Sequence, residues 1–257
     1  MRKLNRIVSA LALSFAAMAA QAAIPVATQA PVKNVVLVHG FFADGSGWRG
    51  VADILARDGF NVTVVQQPET SLDDDVKATT RAVNAQEGRS ILVGHSYGGM
   101  VITQAGNDRK VAGLVYVAAF QPDAGESLKD LADSMAPATK GIKATADGHL
   151  YFDPALFHAD FAADLPAADA RFMALSQVMP AVQAATAAVS QAAWKSKPSW
   201  AIVSTADRTV HPDLQRFMAK RAGSTAIEID GSHAAFIAHP ARVAKVIEEA
   251  AVAAGAR

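Results

Sequence analysis

The chain contains no cysteine. That excludes thiol nucleophiles, cysteine metal sites, lipid-modified cysteine and disulfide staples, and leaves stability to the core. Charge of one sign is also missing in excess. The 24 basic and 24 acidic side chains cancel to a net charge of zero, so there is no electrostatic footprint for nucleic acid. Partners are expected to be small and uncharged, and nothing in the pattern sets an oligomeric state. No H-E-x-x-H or comparable ligand spacing occurs, and neither a metal nor a cofactor is expected. No internal repeat is evident.

What is present is length and apolar content. At 257 residues, 51% of them hydrophobic, the chain can build one domain with a substantial core and can carry an insertion. The N-terminus reads separately. Arg2, Lys3 and Arg6 precede an apolar stretch over residues 7–20, which leads into Ala20-Gln21-Ala22. A basic start, a short apolar segment and an A-x-A site form the pattern of a secretory signal peptide. The stretch is short for a bilayer span and contains Ser9 and Ser14, which disfavours a retained anchor. Residues 1–22 are therefore read as a signal peptide cleaved after Ala22. Residues 23–257 are the mature domain, exported to the periplasm or medium without stable membrane insertion.

Strand patterns at 35–38, 61–65, 90–93, 111–118, 200–204 and 226–230 alternate with helical patterns. That order predicts an α/β protein with a mostly parallel, doubly wound sheet. A helix over 50–58 is stopped by Gly59, and Ser71 caps a second helix whose first turn holds Asp73, Asp74 and Asp75. Three acids there suit the positive end of the helix dipole and read as a helix start, not a metal site. From about residue 121 to 197 the alternation fails, with helical stretches at 169–178 and 181–194. This segment is expected to be a helical cap inserted before the strand that leads to Asp207. Its candidate pocket lining is Met135, Leu150, Phe152, Phe157, Phe161, Met173, Leu175 and Met179; for each, ordinary cap core is the competing reading.

The most informative residues follow the strands. Ser90-Ile91-Leu92-Val93 runs into Gly94-His95-Ser96-Tyr97-Gly98, a G-x-S-x-G turn that lifts a serine above the end of a buried strand. Trp200-Ala201-Ile202-Val203-Ser204 ends in Thr205-Ala206-Asp207, and the last strand ends in Gly231-Ser232-His233. Serine, acid and histidine in that order, each just past a strand's C-terminal end, are the triad order of the α/β-hydrolase fold. A serine hydroxyl needs an adjacent base, which assigns Ser96 as nucleophile, His233 as base and Asp207 as the acid orienting it. Asp123 is the competing acid. His95 is expected to pack beneath the elbow, His211 and His239 to precede helix-starting prolines, and His149 and His158 to belong to the cap. The backbone N–H groups of Phe41 and Tyr97 are the expected oxyanion donors, with Gly40 letting its loop approach the substrate.

Several motifs together carry a family resemblance. They are Val38-His39-Gly40-Phe41, Gly45-Ser46-Gly47-Trp48, Gly94-His95-Ser96-Tyr97-Gly98-Gly99, the stretch from Asp207 to Gln215-Arg216-Phe217-Met218, and Gly231-Ser232-His233. From about Val35 onward the chain resembles the methylesterase and hydroxynitrile lyase group of α/β-hydrolases and its bacterial esterase-like relatives. The resemblance is strong at both ends of the core and weak through the cap. It implies the triad Ser96, Asp207 and His233 and a small uncharged ester as substrate. In the lyase branch a lysine follows the catalytic histidine and a threonine stands at the Gly40 position; here Ala234 and Gly40 occupy those places. Serine at the elbow also departs from the aspartate of epoxide hydrolases and haloalkane dehalogenases. The expectation is hydrolysis of small carboxylic esters through an acyl-enzyme, an intermediate that a perhydrolase side activity would share. The alternatives are lyase-like C–C cleavage and a ligand-binding protein with vestigial catalysis.

Overall fold

Runs of β-branched and apolar residues bounded by glycine, asparagine and aspartate give this chain its strands. The computed structural model describes residues 30–256; the signal-peptide reading of residues 1–22, with its cleavage after Ala22, lies outside the described residues. The strands are β1 (Asn34–Val38), β2 (Asn61–Val65), β3 (Ser90–His95), β4 (Val111–Val117), β5 (Ile142–Ala144), β6 (Leu150–Phe152), β7 (Ser199–Ser204) and β8 (Thr225–Ile229). Six of them form one sheet in the order β2-β1-β3-β4-β7-β8, every pair parallel. The α/β-hydrolase expectation for the sheet is met.

Side-chain alternation divides the sheet between two cores. Val36, Val38, Leu92, Leu114 and Tyr116 face one side, and Val35, Leu37, Ile91, Val93, Val115 and Val117 the other. The first side is covered by α2 (Leu72–Asn84), α3 (Gly98–Ala105) and α8 (Pro212–Ala222). The second is covered by α1 (Arg49–Arg57) and α10 (Pro240–Gly255), whose Val243, Val246, Ile247 and Ala250 meet β4 and β7. Ser71 does cap α2, accepting from the Asp74 N–H at 3.1 Å. Gly59 follows α1 at φ +79°, where glycine carries no steric penalty. No helix among the described residues is long and apolar enough to cross a membrane.

Between β4 and β7 the chain forms α4 (Leu128–Ser134), the antiparallel hairpin β5–β6, α5 (Pro154–Asp160), α6 (Ala167–Ser176) and α7 (Val182–Thr186). Two sequence expectations change here. The segment is not purely helical, since it contains the hairpin. The helix expected over 181–194 stops at Thr186, because its later amides are claimed elsewhere. Val189 N–H donates to Glu126 O, and the N–H groups of Ser190 and Gln191 converge on the Gln104 side-chain oxygen. Phe152, Phe157 and Phe161 of this segment are fully buried and join the core beneath them.

Register places the loops. Val38 pairs with both Val65 and Gly94, so the turns after β1, β2 and β3 emerge side by side. Ser204 pairs with Ile229, which sets the Asp207 and His233 loops together. The chain order reverses between β1 and β3, the crevice where open α/β sheets bind ligands.

Candidate active site

The G-x-S-x-G turn forms where β3 meets α3. Ser96 has φ +53°, a left-handed conformation rarely held by a residue with a side chain. Neighbours hold it there. Its N–H donates to Val117 O at 3.2 Å, and its carbonyl accepts from Gly99 and Phe120 at 3.0 and 3.2 Å. A Cβ at Gly94 would lie 2.5 Å from Gly98 O, and one at Gly98 would lie 2.7 Å from both Val38 O and His39 O. Both glycines are required by backbone, which cannot move aside. Gly40 is also required by the elbow: a Cβ there would stand 2.5 Å from the Ser96 Cβ.

His233 follows β8 in the turn before α9 (Ala235–Ala238). Its Nδ1 lies 2.8 Å from Asp207 Oδ2, and both side chains are fully buried. Asp207 also accepts from the N–H groups of Thr209 and Val210 at 2.8 and 2.9 Å and from Gln215 Nε2 at 2.8 Å. Four donors satisfy the carboxylate and fix its plane. Because an ionised carboxylate only accepts, the His233 proton resides on Nδ1 and the lone pair on Nε2. That Nε2 is buried and has no hydrogen-bond partner among the described residues. Asp123, the competing acid, pairs instead with Lys195 near the surface.

His95 lies beneath the elbow. Its Nε2 meets the His233 carbonyl at 2.9 Å, so Nε2 carries the proton and donates. Complete burial pushes its pKa well below the usual value, and the ring stays neutral. Phe161 stands edge-on against the His233 ring at 4.8 Å. The Phe161 carbonyl accepts from the Ala234 N–H, and Asp164 accepts from both the N–H and hydroxyl of Ser232, so the chain between α5 and α6 is tied to the histidine turn. His211 accepts from Asp213 N–H at the start of α8, His239 precedes α10, and His149 and His158 lie between β4 and β7; none joins His233. Among the described residues no group of three or more histidine or acidic side chains is arranged to hold a metal ion.

The Phe41 and Tyr97 N–H groups donate to no protein acceptor among the described residues. Their rings stack, with centroids 3.9 Å apart. Behind them is a set of buried polar side chains to which the sequence reading gave no role at the site: His39, Gln67, Glu69 and Asp75. Asp75 was expected to be a helix-start acid and does stand in the first turn of α2. It also accepts from the Tyr97 hydroxyl at 2.6 Å and from Glu69 N–H at 2.8 Å. The only signal in the sequence was three acids where a helix start needs fewer.

An open cleft of about 580 Å³ lies between the 43–49 segment and α6, lined in part by Ser46, Leu165, Phe172, Met173 and Ile237. Of the residues expected to line a cap pocket, Met173 faces this cleft, while Leu175 and Met179 are 70 and 54% exposed. The buried stripe of α6 is Ala170 and Ala174, four residues apart, which leaves Leu175 outside it.

Residues 35–246 match the family described as the alpha/beta hydrolase family. Over 119 residues the chain is 38% identical to a carbendazim hydrolyzing esterase from Nocardioides sp. (strain SG-4G). That match takes in 40% of this chain and 49% of the relative, so it spans about half the relative's length. Among solved structures, a pyrethroid hydrolase from Sphingobium faniae JZ-2 superposes with a TM-score of 0.74 at 20% identity, covering 85% of this chain and 96% of that one. A methylesterase from Arabidopsis gives 0.73 at 18% identity, covering 85 and 98%. Polyneuridine aldehyde esterase gives 0.73 at 17% identity with the same coverage.

Proposed function

The chain belongs to the alpha/beta hydrolase family, and from that premise we propose that it is a serine carboxylester hydrolase working through an acyl-enzyme. The observation that carries this reading is the His233 ring, with Nδ1 held by Asp207 and a buried, unpartnered Nε2. A buried acceptor without a donor costs stability, and a base left in that state suits the uptake of a proton. The relatives named as ester hydrolases add support of a coarser kind.

In this mechanism Ser96 attacks the ester carbonyl while His233 Nε2 takes its proton. Asp207 holds the ring in the required tautomer and stabilises the imidazolium. The Phe41 and Tyr97 N–H groups donate to the oxyanion, a contribution typically of about 3–4 kcal/mol per donor. His233 then protonates the departing alkoxide and activates the water that hydrolyses the acyl-enzyme. No cofactor takes part. The close packing of Phe161 on His233 favours small uncharged esters.

The mature protein is expected to hydrolyse p-nitrophenyl acetate and butyrate, to be inactivated by a serine-directed phosphonate, and to lose turnover by at least three orders of magnitude in Ser96→Ala with unchanged circular dichroism. Retention of more than a few per cent activity by that folded variant would place the nucleophile elsewhere.

A further inference from the structure

The oxyanion loop and the elbow are joined from behind by one strap, the segment from Gln67 to Asp75. Gln67 N–H donates to His39 Nε2 at 3.1 Å, and Gln67 Nε2 donates to His39 O at 2.7 Å. At the other end, Asp75 holds the Tyr97 hydroxyl and the Glu69 N–H. Tyr97 and the loop that carries Phe41, held at His39, are therefore fastened to the same segment. The strap is itself strained, with Glu69 at φ +54°.

The Gln67 contact decides the His39 tautomer. A backbone N–H can only donate, so Nε2 must offer a lone pair and the proton lies on Nδ1. That proton has two acceptors in reach: Gly40 O at 3.1 Å and Glu69 Oε1 at 3.4 Å. Gly40 C=O and Phe41 N–H belong to one planar peptide unit. A hydrogen bond to that carbonyl therefore orients and polarises the N–H on its other edge.

Building on the serine-esterase reading above, we propose that His39 is a positioning residue for the oxyanion hole and that Glu69 competes with the Gly40 carbonyl for its Nδ1 proton. While Glu69 is neutral, the proton stays on Gly40 O and the Phe41 N–H is held in place. When Glu69 ionises, the carboxylate is the stronger acceptor, the proton turns to it and the Gly40–Phe41 peptide is released.

The environments of the two acids divide the roles. Burial raises the Asp75 carboxyl above its ordinary value, but two donors and its place in the first turn of α2 favour its charge. Among the described residues neither Glu69 carboxyl oxygen has a hydrogen-bond partner. Burial pushes the Glu69 carboxyl up to about 7, aided by the Asp75 charge and opposed by His39. The groups facing Glu69 are His39 after β1, Asp75 on α2 and Tyr97 at the elbow, while Asp44 and His95 act on His39 from the 43–49 segment and from β3.

The test compares wild type with Glu69→Gln, which fixes the neutral form at nearly constant shape, and with Glu69→Leu, which removes the acceptor. Two readouts are followed from pH 5.5 to 9: kcat on p-nitrophenyl acetate, and the ¹⁵N–¹H resonance of the Phe41 amide in substrate-free protein. In wild type the Phe41 resonance is expected to titrate near neutral pH with Glu69, and the ratio of variant to wild-type kcat is expected to rise with pH by roughly tenfold, less than the loss of a whole oxyanion donor. Both variants are expected to flatten the Glu69-dependent part of the Phe41 titration. Identical Phe41 titrations in wild type and in both variants would overturn the proposal, whatever the enzyme hydrolyses. A Glu69-dependent Phe41 shift in a protein without ester turnover would instead sustain the link and overturn the esterase reading on which its catalytic meaning rests.

Discussion

A carboxylate accepts and never donates, and that property orders the His233 ring more firmly than any packing contact. Asp207→Asn replaces one acceptor oxygen with an NH₂ group, and the side chain can then face Nδ1 as a donor. The imidazole would turn to the tautomer with its proton on Nε2, where it cannot take the Ser96 proton. The expected loss in kcat on p-nitrophenyl butyrate is on the order of 10⁴, by analogy with serine proteases. Asp123→Asn removes only the contact with Lys195 and is expected to stay within a few-fold of wild type. Steady-state kinetics on both variants checks the assignment, and the reverse ordering would transfer the acid's role to Asp123. The other buried histidines are separated from this role by their partners. His95 spends its proton on the His233 carbonyl, and His39 spends its lone pair on Gln67 N–H.

At the scale of elements, the strand–turn–helix of β3 and α3 is held by close backbone approach. Any side chain at Gly98 meets backbone oxygen of the β1 end on two sides. Gly98→Ala would gain the usual helix-propensity advantage over glycine, about 1 kcal/mol, but must part β1 from the elbow to fit. Overpacking of this kind costs about 1–3 kcal/mol, and urea denaturation is expected to show a net loss of stability despite the better helix former. A more stable variant would mean that the close approach of the two loops is not needed. The elements between β4 and β7 behave differently. Their amides are satisfied by partners distant in sequence, such as Gln104 for Ser190 and Gln191, so local propensity did not decide where α7 ends. Pro154 and Pro166 do mark local starts, each standing at or just before the first residue of a helix.

Over the whole molecule charge balances to zero, and among the buried ionisable groups Glu69 is one whose proton affinity folding raises. Its folded pKa of about 7 lies above the ordinary 4.5, so between those values the folded protein holds a proton that the unfolded chain has released. The unfolded state then binds fewer protons, and stability falls as pH rises through this window and levels off above it. At 1.36 kcal/mol per pKa unit the contribution is roughly 3 kcal/mol. Urea denaturation of wild type at pH 5 and pH 7.5 is expected to show this loss, and Glu69→Gln is expected to remove most of it. Equal pH dependence in the two proteins would show that Glu69 ionises in the fold as it does in water.

The amino-acid sequence by itself determined the sheet and the positions of Ser96, Asp207 and His233 past strand ends, because those features rest on local signals. Apolar runs of four to eight residues mark buried strands, turn residues mark their ends, and the glycines at positions 94 and 98 are dictated by a turn five residues long. Tertiary structure alone decided which polar groups stand behind those turns. His39 meets Gln67 and Glu69 only because β1 and β2 are parallel and in register, and Asp75 meets Tyr97 only because α2 lies over α3. The helix-start reading of Asp75 holds, since it lies in the first turn of α2, but it is incomplete for the same reason. A carboxylate in the first turn satisfies a local rule, yet its second partner is a hydroxyl 22 residues away, brought to it by the parallel crossover. Hydrogen bonds between separate loops carry no period along the chain, so only the assembled sheet, which fixes the distances between strand ends, could select them.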